Sequence, residues 1–88
     1  MAKRSRISLG DYASAALPRL WAVKKRKGLS NAELGREIGV NGAMASKLLY
    51  GDRRAGRDLA LRCEEKFGVP INLWSAPLPS SWQLPEVA

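Results

Sequence analysis

The chain contains no histidine and a single cysteine, Cys63. Without histidine it lacks the commonest general base and a common zinc ligand. One cysteine excludes an intrachain disulfide, and no pair at metal-ligand spacing exists. No apolar run approaches the roughly 18 residues of a membrane span, and no signal-peptide core follows the basic start. A cytoplasmic protein with no membrane partner is therefore expected. Acidic residues number 8. They are scattered over what read as helix surfaces, and no nucleophile stands beside a base, so an enzyme is the poorest fit. No metal and no cofactor is implied. Eighty-eight residues make one domain, near the small end of what folds without staples.

What the chain has instead is positive charge, unevenly placed. The net charge is +7, with 15 Lys and Arg. Residues 1–57 hold 13 of these against 4 Asp and Glu, a surplus of +9, whereas 58–88 hold 2 against 4. Such asymmetry offers one positive face to a polyanion. The plain alternative is a solvated face kept charged for solubility.

The stretch 30–51, SNAELGREIGVNGAMASKLLYG, organises the rest. It reads as two short helices joined by a tight turn. Ser30 with Glu33 three residues on forms a capping box, and Leu29 and Leu34 occupy the positions of a hydrophobic staple. Leu34 and Ile38 share one face at i, i+4 spacing. Gly39 accepts a left-handed backbone at the helix end. Val40 points inward and Asn41 can cap the second helix, which turns Ala45 and Leu48 inward and ends at Tyr50-Gly51.

This segment resembles the helix-turn-helix of the phage repressor and Cro family, also called the XRE family. The family pattern wants apolar residues where this chain has Leu34, Ile38, Val40, Ala45 and Leu48. It wants a small residue at Gly35, where the helices cross, and a glycine at Gly39 in the turn. All these positions fit, and the flanks extend the resemblance over roughly residues 17–74. The resemblance implies an all-α fold, a five-helix lambda-repressor-like bundle. Residues 1–10 would be a basic flexible arm, 11–76 the DNA-binding domain and 77–88 a Pro-rich tail that self-packs or dimerises. It further implies double-stranded DNA as partner, a homodimer, and a nucleoid-associated location.

The family's reading positions, carried over, put Gly42, Ala43, Ser46 and Lys47 on the base-facing side of the helix over 42–50, with Asn41 at its entry. Lys47 can donate to guanine O6 and N7, Ser46 can donate or accept, and Ala43 can touch a thymine methyl. Gly42 departs from the family, where Gln, Arg or Ser is usual, and Ala45 is smaller than the usual Ile or Val, leaving space that Met44 can fill. Phosphate contacts fall to Asn31 at the first turn of the preceding helix and to Arg53, Arg54 and Arg57 after the Gly51 turn. Purely local bonds at Asn31 and solvated loop arginines are the plain alternatives. Lys3, Arg4 and Arg6 form the arm that meets phosphates or a minor groove, or a terminus without a role.

Elsewhere the pattern gives a first helical region over 11–27. Asp11 can cap it, and Pro18 requires either a lead-in turn or a kink at Leu17-Pro18. Leu17, Leu20 and Val23 are its inward residues, Trp21 is partly covered, and Lys24, Lys25, Arg26 and Lys27 suit the negative end of the helix dipole. A fourth helix, roughly 56–67, buries Leu59, Ala60, Cys63 and Phe67, with Cys63 read as a core residue. Gly68, then Val69-Pro70, turn the chain into a short helix over 71–74. In the tail, Leu78, Trp82, Leu84 and Val87 can cover the bundle, pair across a dimer or bind another protein.

The leading reading is a sequence-selective transcriptional regulator that binds operator half-sites as a homodimer through the major groove. Two alternatives stay open. One is an antitoxin-like DNA binder whose tail holds a partner protein, and the other is a weakly specific architectural binder. Nothing in the sequence names the operator or the sign of regulation.

Overall fold

Each helix begins and ends where a local signal stands. The computed structural model describes residues 9–84, so Lys3, Arg4, Arg6 and Val87 lie outside the described residues. Four α-helices follow in order: α1 Ala16–Lys27, α2 Asn31–Ile38, α3 Gly42–Leu49 and α4 Arg57–Phe67. A 3-10 helix, Ile71–Ser75, is the fifth element, and no strand occurs among the described residues. Its i→i+3 bond, Leu73 N–H to the Pro70 carbonyl at 3.1 Å, closes a segment too short to nucleate an α-helix.

α1 starts later than Asp11. Pro18 is the third helical residue, in the first turn where its missing N–H leaves no bond unmade, and the helix runs on without the alternative kink. Asp11 lies in an exposed turn and caps nothing in α1. Ser14 takes that part: its hydroxyl accepts from the Ala16 N–H at 3.3 Å and its carbonyl from Leu17 at 3.0 Å. The lead-in is fastened to the far end of α3, because Gly10 N–H donates to the Tyr50 carbonyl (2.9 Å) and Tyr12 N–H to that of Gly51 (2.8 Å).

The core gathers Leu17, Leu20 and Val23 of α1, Leu34 and Ile38 of α2, Ala45, Leu48 and Leu49 of α3, and Ala60, Cys63 and Phe67 of α4. Leu59 is half-buried rather than inside, while Leu49 and Val69 are fully covered. Trp21 is deeper than expected, at 7% exposed. Its indole N–H donates to the Leu49 carbonyl at 2.9 Å, one of the last α3 carbonyls that have no intrahelical partner. The Tyr50 ring meets it edge-on at 5.7 Å and the Lys24 ammonium lies 5.5 Å over it. α1 and the end of α3 are thus joined by polar and aromatic contacts as well as by packing.

Past the 3-10 helix the chain turns back. The Ala76 carbonyl accepts from the Ala15 N–H at 3.0 Å, Leu78 and Trp82 are half-buried against the core, and Leu84 is buried within it.

Candidate nucleic-acid interface

The geometry of α2, the turn and α3 is set mainly by chemistry within about twenty residues, with one support from α4. Ser30 closes the capping box on α2: its N–H donates to Glu33 Oε1 at 2.8 Å and its hydroxyl accepts from the Glu33 N–H at 3.1 Å. The Ser30 backbone N–H, and then its hydroxyl, hold the Glu33 carboxyl below the ordinary range. α2 ends at Gly39, whose φ of 81° is costly for any residue with a Cβ. The Val40 N–H then reaches back to the Gly35 carbonyl at 2.8 Å. A Cβ on Gly35 would stand 2.6 Å from the Val40 carbonyl oxygen, so the close crossing of the two helices depends on this glycine.

Arg62 secures the same turn from α4. Its Nη1 donates to the Ile38 carbonyl at 3.3 Å, at the open carbonyl end of α2. Arg62 is not among the site residues that the sequence singles out. No local pattern marks a bond that spans 24 positions.

α3 is capped by Asn41, whose Oδ1 accepts from the Met44 N–H at 2.8 Å. Ala45, Leu48 and Leu49 face the core. The opposite side carries Asn41, Ala43 and Lys47, all exposed, with Gly42, Met44 and Ser46 half-buried. Gly42 has a packing reason: a Cβ there would come 3.3 Å from the Ala32 Cα, so the start of α3 rests against the start of α2. Met44 packs against the core beside the small Ala45.

Of the remaining site candidates, Asn31 is half-buried as the first residue of α2. Arg53 and Arg54 are exposed in the loop after Gly51, and Arg57 is the exposed first residue of α4. Buried Ala55 anchors that loop between them. Four cationic side chains (Lys47, Arg53, Arg54 and Arg57) therefore lie within 11 consecutive positions around the end of α3 and the start of α4, all exposed. On α1, Lys27 covers the Phe67 ring at 5.7 Å while Lys25 and Arg26 are exposed. Cys63 is fully buried, and burial pushes its thiol up to about 11.

Among the described residues no cluster of Cys, Asp and Glu is placed to hold a metal ion, and no helix is long and apolar enough to cross a membrane. The sequence model of the family described as Helix-turn-helix matches residues 22–74, more than half of the chain. No curated protein and no solved structure matches it.

Proposed function

The chain belongs to the repressor/Cro-type helix-turn-helix family, DNA-binding regulators and not enzymes, and from that membership we propose a sequence-selective operator binder acting as a homodimer. Each protomer lays α3 into the major groove of one half-site, and two half-sites lie about one helical turn, roughly 34 Å, apart. The observation that carries this reading is the outer side of α3. Asn41, Ala43 and Lys47 are open to solvent while Ala45, Leu48 and Leu49 hold the helix from behind.

The groups on that side assign the contacts. Lys47 donates to a guanine edge, Ser46 exchanges a hydrogen bond with either base type, and Ala43 meets a thymine methyl. Asn41 has its oxygen committed to the Met44 N–H, so it offers DNA its amide N–H groups. Gly42 offers no side chain, so the protein leans on phosphate contacts and duplex shape more than on bidentate base contacts. Asn31, with the free N–H groups at the start of α2, holds one phosphate, and Arg53, Arg54 and Arg57 grip the backbone on the other side. The arm residues Lys3, Arg4 and Arg6 add phosphate or minor-groove contacts. Burial of Leu84 favours a tail that packs on its own bundle over one held out for a partner.

In vitro selection from random duplex DNA tests this reading. The expected product is a two-fold symmetric site with half-sites one turn apart. A ratio of selected to random affinity below about 10 overturns it.

A further inference from the structure

We propose that a groove between the N-terminal lead-in, the basic loop and the 3-10 helix binds an extended acidic peptide segment of another protein. Two adjoining hollows form it, of ≈ 440 and ≈ 350 Å³, and Tyr12, Arg54, Trp74 and Ser75 border both. Arg57 and Ile71, with Ala55 and Ala60, complete the second. Tyr12, 53% exposed, and Ile71, 37% exposed, are the large hydrophobic side chains that the described residues leave open, and both stand here. Trp74 adds an indole Nε1 that is buried and has no hydrogen-bond partner.

The chemistry of these groups selects the occupant. The charged side chains around the second hollow are both cationic, Arg54 and Arg57. Asp11 is the single carboxylate at the first hollow. Such a lining calls for negative charge beside apolar anchors. A peptide supplies both: Asp or Glu for the guanidiniums and apolar side chains against Tyr12 and Ile71. The continuation of one hollow into the next suits an extended chain. A second copy of the protein laid groove to groove would bring both pairs of arginines together, which charge repulsion opposes. Arg54 and Arg57 are also the phosphate contacts proposed above, so on that reading peptide and duplex exclude one another, and the peptide acts as an antagonist of DNA binding.

The test uses the full chain, ¹⁵N-labelled and free of DNA, with the capped peptide Asp-Leu-Asp-Phe-Asp-Leu as probe. The Trp74 indole resonance, identified by its loss in Trp74→Phe, and the Ser75 and Ala76 amides are expected to shift saturably. Affinity is expected to fall about tenfold when Asp is replaced by Asn in the probe, and similarly in Arg57→Ala. Tyr12→Ala, an exposed position outside the DNA contacts, should weaken the peptide and leave duplex binding unchanged. No shift at Trp74 overturns the proposal, as does equal binding of the Asn peptide. Benzoate matching the peptide in shifts and affinity would make this a small-anion site, and the same shifts on changing protein concentration alone would make it a self-association face; either overturns the peptide assignment. Simultaneous binding of peptide and duplex overturns the exclusion. If no duplex binds at all, the proposed function fails while the peptide result stands.

Discussion

Replacing Trp21 with phenylalanine asks how firmly α3 is held from behind. The indole N–H donates to the Leu49 carbonyl at 2.9 Å from a ring only 7% exposed. Phenylalanine keeps most of the ring and deletes the donor, leaving a buried carbonyl without a partner at a cost of about 1–3 kcal/mol. Weaker contact with the Tyr50 edge and the Lys24 ammonium adds on the order of 1 kcal/mol. A loss of roughly 2–4 kcal/mol is a large share of the ~5–15 kcal/mol that holds a small domain together. Trp74→Phe is the matched comparison. That indole Nε1 is buried without a partner, so no bond is lost and the removal of an unsatisfied donor offsets part of the packing loss. Its cost should stay below about 1 kcal/mol. Urea unfolding followed by circular dichroism, with equal slopes for all variants, measures both. Equal losses for the two variants, or a Trp21→Phe loss under about 1 kcal/mol, would refute the reasoning.

Four further outcomes are expected. Gly39→Ala should cost about 1–2 kcal/mol in thermal unfolding, because φ is 81° there and a Cβ would displace the Arg62 guanidinium at 2.9 Å. Lys47→Ala should relax selection at one base position of each half-site by about 1–3 kcal/mol, whereas Arg54→Ala should weaken all duplexes alike and, removing one phosphate contact per protomer, shrink the salt slope by about 2; a dimer on ~8 phosphates starts near −7. The Glu33 carboxyl is held below its unfolded range, so its stabilising contribution is complete above that range and lost as pH falls through the folded value. Glu33→Gln, which removes the titrating group, should therefore flatten the acid side of the stability–pH curve in equilibrium unfolding. Cys63, raised to about 11 by burial, should react with iodoacetamide at pH 8 far more slowly in the native protein than in urea, as mass spectrometry would report.

The recognition segment was legible in the sequence because its determinants are local. Ser30 with Glu33, Gly39 with Val40, and Asn41 with Met44 act within three or four positions, and each is found as the pattern implies. The small residue at Gly35 came from the family resemblance, and the Val40 carbonyl oxygen, 2.6 Å from where a Cβ would stand, supplies the reason. Asp11 was misplaced as a cap because Pro18 alone permits two helix starts, and Ser14 decides between them through contacts at two and three positions. The depth of Trp21 depends on Leu49, 28 positions away, and the support of the turn by Arg62 on a carbonyl 24 positions away. Neither leaves a periodic trace. Gly42 was visible as an oddity, but its cause, the nearness of Ala32, needs coordinates. The groove around Tyr12 and Trp74 joins two ends of the chain and had no signature at all.

The two bonds from Gly10 and Tyr12 to the carbonyls of Tyr50 and Gly51 determine where the lead-in meets the bundle. A Cβ on Gly10 would touch Gly51 and Asp52, so the chain enters the bundle beside the loop that carries Arg53 and Arg54. A fluorophore carried at residue 9 would therefore sit beside the loop proposed to grip the duplex, well sited for reporting occupancy.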